Sequence, residues 1–250
     1  MKLDFLLPEK KPCDIRKITW SKRLTLLVMA PHPDDFDAIG ETLKYMQNTG
    51  HDIHVVVAET GSGIDDAYMD GLSLLKKRAK RNEEQRESAR FFGLPDANLH
   101  FLALENEDDD QIADSEQNRF ELAKWVKKIK PDILFLPHGN DTNRAHRAMY
   151  LMARQIASSV KWSIAMMLNQ DAKTVSINPW FYYAFGEKEA KWKAQLLRFH
   201  DSQQGRNLKL RGYGFDKRVL RLNNIIAKEL GIDKPYASAF EVEIYPSRDT

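Results

Sequence analysis

Residues 24–30, LTLLVMA, form an apolar run that ends abruptly at Pro31 and His32, and no other feature constrains the fold of this chain more. A strand apolar on both faces has to be covered on both, which places it inside a parallel sheet with helices above and below. The segments that follow agree with that placement. Residues 36–48 have helical spacing and stop at Gly50, and 53–58, within HDIHVVVAET, form a second strand. A long charged helix at 73–92 ends at Gly93. NLHFLAL (98–104), the helix 115–130 and PDILFLPH (131–138) continue the alternation. Past Ala145 a helix runs to about Ser158, PWFYYAF (179–185) forms another strand, and 187–199 another helix. Alternating elements of these lengths predict right-handed crossovers onto one sheet, hence a Rossmann-like three-layer α/β fold with a mostly parallel sheet.

With 250 residues, 42% of them hydrophobic, the chain is long enough for a single domain spanning 1–250, in which 1–22 is an N-terminal extension. A net charge of +2 gives no field that would draw in nucleic acid or an anionic membrane. No apolar run has the length of a membrane span, and MKLDFLLPEKK (1–11) is broken by charge too early for a secretory signal, so a cytoplasmic protein is expected. The single cysteine, Cys13, excludes an internal disulfide and a multi-cysteine zinc site. A metal would have to be held by histidine and carboxylate. A homo-oligomer is compatible with the pattern but is not dictated by it.

In a fold of this class ligands bind beyond the carboxyl ends of the strands. Three polar segments fall there: APHPDD (30–35), ETGSG (59–63) and PHGNDTNRAH (137–146). A hydrolytic zinc takes three protein ligands and leaves a position for water. His32 and Asp35 offer two of these ligands from one turn, in which Pro33 fixes a backbone angle. Asp34, left beside them, is placed to accept a proton. The third ligand comes from His138, Asp141 or His146, and His146 is preferred because it opens the following helix on its inward side. Against this stands a plainer reading, in which Asp35 only caps the helix behind it. His51, His54 and His100 lie in or beside strands and read as structural. KKRAKRNEEQRE (76–87) reads as a solvated helix face rather than a phosphate or nucleic-acid patch, and GRNLKLRGYGF (205–215) as a surface loop, with a basic, mobile substrate loop as the alternative. ENEDDDQIADSE (105–116) lacks the spacing of a calcium loop, and ETGSG lacks the third glycine of a dinucleotide site. Trp180, Phe181, Tyr182, Tyr183 and Trp192 read as core rather than as a sugar platform.

APHPDDFDAIG (30–40) with NDTNRAHRA (140–148) resembles the LmbE/PIG-L-type deacetylases, zinc enzymes acting on N-acetylglucosamine-bearing substrates. RNEEQRESARFFG (81–93), KWKAQLLRFHDSQ (191–203) and YASAFEV (236–242) are similar to further segments of that family. The resemblance implies zinc, or another divalent transition metal, on His32, Asp35 and His146, with Asp34 as general base and an N-acetylated sugar or glycoconjugate as partner. The chain departs from the family pattern at Asn143 and Ala145, where a helper histidine and an acidic neighbour are usual, and at Phe36, which stands where an acidic residue is usual. Asn143 is then expected to donate to the oxyanion, and Asp34 or His200 to protonate the leaving amine. Arg81, Asp141 and Arg144 are candidate substrate contacts, with Asp141 equally readable as a partner that orients His146. Two other functions fit the same residues: a sugar-binding homologue that keeps its metal but turns over little, and an amidase acting on another N-acyl or a thiol-conjugate amide.

Overall fold

The computed structural model describes residues 3–58, 71–106 and 111–247. Its strands are β1 (Cys13–Asp14), β2 (Thr25–Ala30), β3 (Asp52–Val57), β4 (Leu99–Phe101), β5 (Ile133–Pro137), β6 (Ile164–Asn169), β7 (Phe181–Phe185) and β8 (Tyr236–Tyr245). Its helices are α1 (Asp35–Ala38), α2 (Gly40–Asn48), α3 (Leu74–Phe92), α4 (Glu116–Ile129), α5 (Arg144–Ser159), α6 (Glu187–Arg198), α7 (Asp201–Arg211) and α8 (Phe215–Glu229).

Along β2, Leu26, Val28 and Ala30 enter one apolar cluster while Leu27 and Met29 enter another. The run therefore has no solvent face, and helices cover both sides of it. The first cluster takes Phe36 of α1, Leu43 and Met46 of α2, Phe92 of α3 and Leu196 of α6. The second takes Leu122 and Val126 of α4 and Ala145, Met149, Met152 and Ile156 of α5. These α5 positions fall on one helical stripe.

The strands join in one sheet, ordered β1-β7-β8-β6-β5-β2-β3-β4. It is parallel throughout except at β8, which runs antiparallel to both β6 and β7. From β2 the chain moves outward to β3 and β4, then returns to pair β5 with the other side of β2, matching Leu26 to Ile133 and Val28 to Phe135. The loops after β2 and β5 therefore diverge from neighbouring strand ends, which is where folds of this class open a crevice. No described helix is long and apolar enough to cross a membrane.

Two expectations need correction. The helix expected over 36–48 breaks at Ile39, where φ is −116° and ψ 19°. At Gly40 a β-carbon would lie 2.5 Å from Leu196 Cδ2, so the glycine admits the close approach of α6. Residues 205–211, read as loop, belong to α7. That helix gives little apolar signal because Leu208 and Leu210 are exposed and its inward side is polar, formed by Ser202, Gln203 and Asn207. The sequence offered no assignment for β1, β6, α8 or β8. Within the expected N-terminal extension, Leu3, Leu6 and Ile15 join the first core cluster, and Cys13 pairs with Phe181. ETGSG and part of ENEDDDQIADSE lie outside the described residues.

Candidate metal centre and its cavity

The turn after β2 reverses through Asp34, a non-glycine residue at φ 114°. Such a conformation is strained for an L-residue and persists only where the surroundings hold it. Here Gln85 Oε1 accepts the Asp34 N–H at 3.0 Å, and an Arg81 guanidinium nitrogen donates to Asp34 Oδ2 at 2.8 Å and to the Pro33 carbonyl. The reversal brings Asp35 back over His32, whose N–H donates to Asp35 Oδ2 at 2.8 Å and whose Nδ1 lies 3.2 Å from the same oxygen. Asp35 is thus drawn toward the imidazoles and not used as a cap; the helix N-cap position is Asp34, without a side-chain cap bond.

From the neighbouring strand end, Asn143 caps α5 by accepting the Ala145 N–H at 3.0 Å, and the first turn of the helix carries His146 inward. His146 Nε2 lies 3.5 Å from Asp35 Oδ1, and its Nδ1 lies 3.2 Å from Asp141 Oδ2. One ligand atom from each of His32, Asp35 and His146 falls within 4.8 Å of the others. Two imidazoles and a carboxylate suit zinc or a similar divalent ion. A carboxylate on the far nitrogen of a ligating histidine is the usual orienting partner.

The electrostatics favour a cation at this point. Burial opposes charge on His146, yet Asp35 and Asp141 outweigh it and push its pKa up to about 10. Burial likewise raises Asp35, but His146 and His32 hold it well below the usual carboxylate range. Asp34 moves the other way: burial dominates, Asp35 reinforces it, and the carboxyl sits above its ordinary value although Arg81 opposes the shift.

Behind Asp34 lies a second buried group. Gln85 Nε2 donates to Asp37 Oδ2 at 2.9 Å, and His200 Nε2 lies 2.7 Å from the same oxygen. His200 and Asp37 are both 0% exposed, and His200 is not among the cavity's described lining residues. His200, which the sequence offered beside Asp34 as the acid for the leaving amine, thus lies behind the Asp34 turn and reaches it through Asp37 and Gln85.

The cavity over the cluster has a volume of about 190 Å³. His32, Asp34, Asp35, Arg81, Asn143 and His146 reach it. Two candidate substrate contacts from the sequence have partners within the protein. The Asp141 carboxylate is 0% exposed and is taken up by His146 and the Asn143 N–H, the arrangement of its alternative reading as a partner of His146. Arg81 is 2% exposed and committed to Asp34 and Pro33. Arg144 is exposed and absent from the described lining, while His138, the rival third ligand, turns to Glu241 at 3.3 Å. His51, His54 and His100 stay in structural surroundings, with His51 Nδ1 accepting the Leu24 N–H and His100 stacked on Trp125. None of the five aromatics read as core lines the cavity.

Sequence reasoning missed Gln85, Asp171, Lys173, Gln203, Arg206 and Arg218. Arg81, Gln85 and Ser88, spaced i, i+4, i+7, are the inward stripe of a helix whose mixed charges read as solvated. That spacing was available, but polar residues carry no apolar periodicity to reveal it.

A family model described as PIG-L: GlcNAc-PI de-N-acetylase matches residues 27–157. No curated protein sequence matches. Among solved structures, N,N'-diacetylchitobiose deacetylase from Pyrococcus horikoshii aligns with 88% of this chain and 83% of its own, at 20% identity and a TM-score of 0.70. GalB, the 4-carboxy-2-hydroxymuconate hydratase from Pseudomonas putida, aligns over 91% and 99% at 15% identity and TM-score 0.68. A zinc-inhibited form of teicoplanin deacetylase Orf2 aligns over 90% and 100% at 14% identity and TM-score 0.62. At such identities the structures share the fold, and the hydratase among them shows that the fold alone does not choose the reaction.

Proposed function

The chain belongs to the PIG-L family, and from that premise we propose that it is a metal-dependent hydrolase removing the acetyl group from a sugar of the N-acetylglucosamine type. The observation that carries this reading is the presence, in one cavity, of the His32, Asp35 and His146 cluster with the buried carboxylate of Asp34 beside it. Amide hydrolysis needs an activated water, stabilisation of the oxyanion and a proton for the departing amine. A divalent ion on the cluster, zinc by the chemistry of its donors, would polarise the acetamide carbonyl and acidify a water.

The remaining tasks fall to the chain's own side chains. Asp34 accepts the proton from the water, a role for which a raised carboxyl pKa is suited. Arg81, fixed on α3, holds that carboxylate in place. Asn143 has its amide oxygen bound to the α5 backbone, which leaves the NH₂ of a cavity-lining side chain to donate toward the oxyanion. With His200 behind the turn, Asp34 is also the group that returns the proton to the amine.

The test is metal content measured beside amine release, for wild type and Asp34→Asn, on a panel of N-acetylglucosamine compounds. Both proteins should hold about one divalent ion, and the variant should lose roughly 10²–10⁴ in rate, the usual contribution of a general base. A wild type that binds no divalent ion would sink the mechanism. One that holds metal but releases no amine from any compound favours the sugar-binding alternative, which the departures at Asn143 and Ala145 keep in view.

A further inference from the structure

Ser202, Gln203 and Gln204 lie in the first turn of α7, and two of the three are spent on the fold. Ser202 donates its N–H and its hydroxyl to the buried carboxylate of Glu84 on α3, at 2.9 and 2.6 Å. Gln204 accepts the Phe215 N–H at 2.9 Å and donates to the Leu197 carbonyl. Gln203 differs. Its backbone is fixed, the N–H donating to the His200 carbonyl at 3.0 Å and the carbonyl accepting from Asn207 Nδ2 at 2.9 Å, but among the described residues its side-chain amide makes no hydrogen bond.

Gln203 is only 6% exposed, yet it lines the cavity over the cluster. Its amide is not sealed in the interior, as the unpaired ring nitrogens of His51 and His200 are. A polar group withdrawn from bulk water without a partner is costly, and a ligand that supplies the partner removes that cost. A primary amide carries two donors and one acceptor on a single plane. An anion would meet only the donors and a cation only the acceptor, whereas a hydroxyl, which both donates and accepts, can use either. The position is also tied to the reacting centre. Glu84, which anchors the start of α7, precedes Gln85, which accepts the Asp34 N–H, and both Gln85 and His200 meet Asp37. One stretch of α3 therefore fixes Asp34 and the turn that presents Gln203.

We infer that Gln203 determines specificity by hydrogen-bonding, through its side-chain amide, a ring hydroxyl of the sugar whose acetamide meets the metal cluster. The inference rests on the deacetylase reading for the place of the acetamide and deepens it, because recognition then depends on a hydroxyl as well as on the amide that is cut.

The experiment crosses substrate with variant in metal-loaded full-length protein. The methyl glycoside of N-acetylglucosamine and its 3-, 4- and 6-deoxy analogues are each given to wild type and to Gln203→Met, which keeps the length of the side chain and removes its amide. In wild type one deoxy analogue should fall at least about tenfold below the parent in kcat/KM, because loss of the hydroxyl leaves the buried amide unpaired again. Gln203→Met should lose a similar factor on the parent and nothing further on that analogue, so that the discrimination collapses to within about twofold. Gln203→Asn, which draws the amide back by one methylene, should show the same collapse and keeps the test open should the apolar variant fail to fold. A partly unfolded variant instead lowers every sugar by one factor and leaves the discrimination as it was. Equal kcat/KM for all the sugars in wild type, or discrimination that survives in both variants, overturns the inference. If no sugar is hydrolysed, the deacetylase reading fails by itself and calorimetric titration with the same compounds decides the hydroxyl contact. A deoxy analogue bound at least about tenfold more weakly than the parent by wild type, but not by the variants, supports it, while equal affinities or no binding to wild type overturn it.

Discussion

At the scale of single residues, the Asp34 turn costs about 1–3 kcal/mol of backbone strain, so its neighbours must over-determine it. Gln85 and Arg81 do this directly, and Asp37 and His200 support Gln85 from behind. His200 makes that support sensitive to pH. Burial alone would lower its pKa, but Asp37 at 2.7 Å, helped by the charge of Asp34, leaves it raised. A raised folded-state value means that the fold holds the proton more tightly than the unfolded chain, where imidazole titrates near pH 6.5. The stabilisation is therefore fully present below about pH 6.5 and is lost as pH climbs through the folded-state value. His200→Gln cannot carry the charge. Urea midpoints from about pH 5 to pH 9 should show the gap between wild type and this variant widest at the acid end and narrowing upward. A gap that does not change with pH would mean that His200 is neutral in the fold.

At the scale of elements, the start of α5 serves two purposes at once, because Asn143 caps the helix that presents His146 and also lines the cavity. Two substitutions separate these purposes. Asn143→Ala removes cap and amide, and should cost about 0.5–2 kcal/mol in chemical unfolding. Asn143→Ser keeps a capping oxygen and should spare stability. If the amide donates to the oxyanion, both variants lose roughly 10²–10³ in kcat; a serine variant within about threefold of wild type would confine Asn143 to capping. The elements also show what could be read beforehand. β2, β3 and β5 were legible because strands buried on both faces write nearly unbroken apolar runs, and α3 because Gly93 at φ 83° ends it. His32, Asp34, Asp35 and His146 were legible because their types are chemically distinctive and they follow strand ends. The polar inward stripes of α3 and α7 were not, since a buried Gln85 or Asn207 looks like a solvated residue until its partner is known. Arg206 and Arg218 were lost for the same reason, along with the helices that carry them.

At the scale of the whole molecule, the cluster is a product of topology. His32 and Asp35 follow β2, His146 follows β5, and only the pairing of those strands in the sheet brings the ligands together. The unfolded chain holds no such site, so an ion that binds the fold stabilises it by mass action, by about 2.7 kcal/mol when free metal is a hundredfold above Kd. For a domain of this size that corresponds to a rise in Tm on the order of 5–10 °C. Protein stripped by chelator should melt that much lower than the same protein with zinc or another divalent ion restored. Asp35→Asn and His146→Gln should each abolish the difference. His138→Gln should keep it, because His138 is bound to Glu241 away from the cluster. Asp171→Asn supplies the remaining comparison. Ligand atoms of Asp141, His146 and Asp171 also fall within 4.8 Å of one another, so this group competes for the same imidazole. A shift kept in Asp35→Asn but lost in Asp171→Asn would move the ion to that group, and with it the reacting carbonyl away from Asp34.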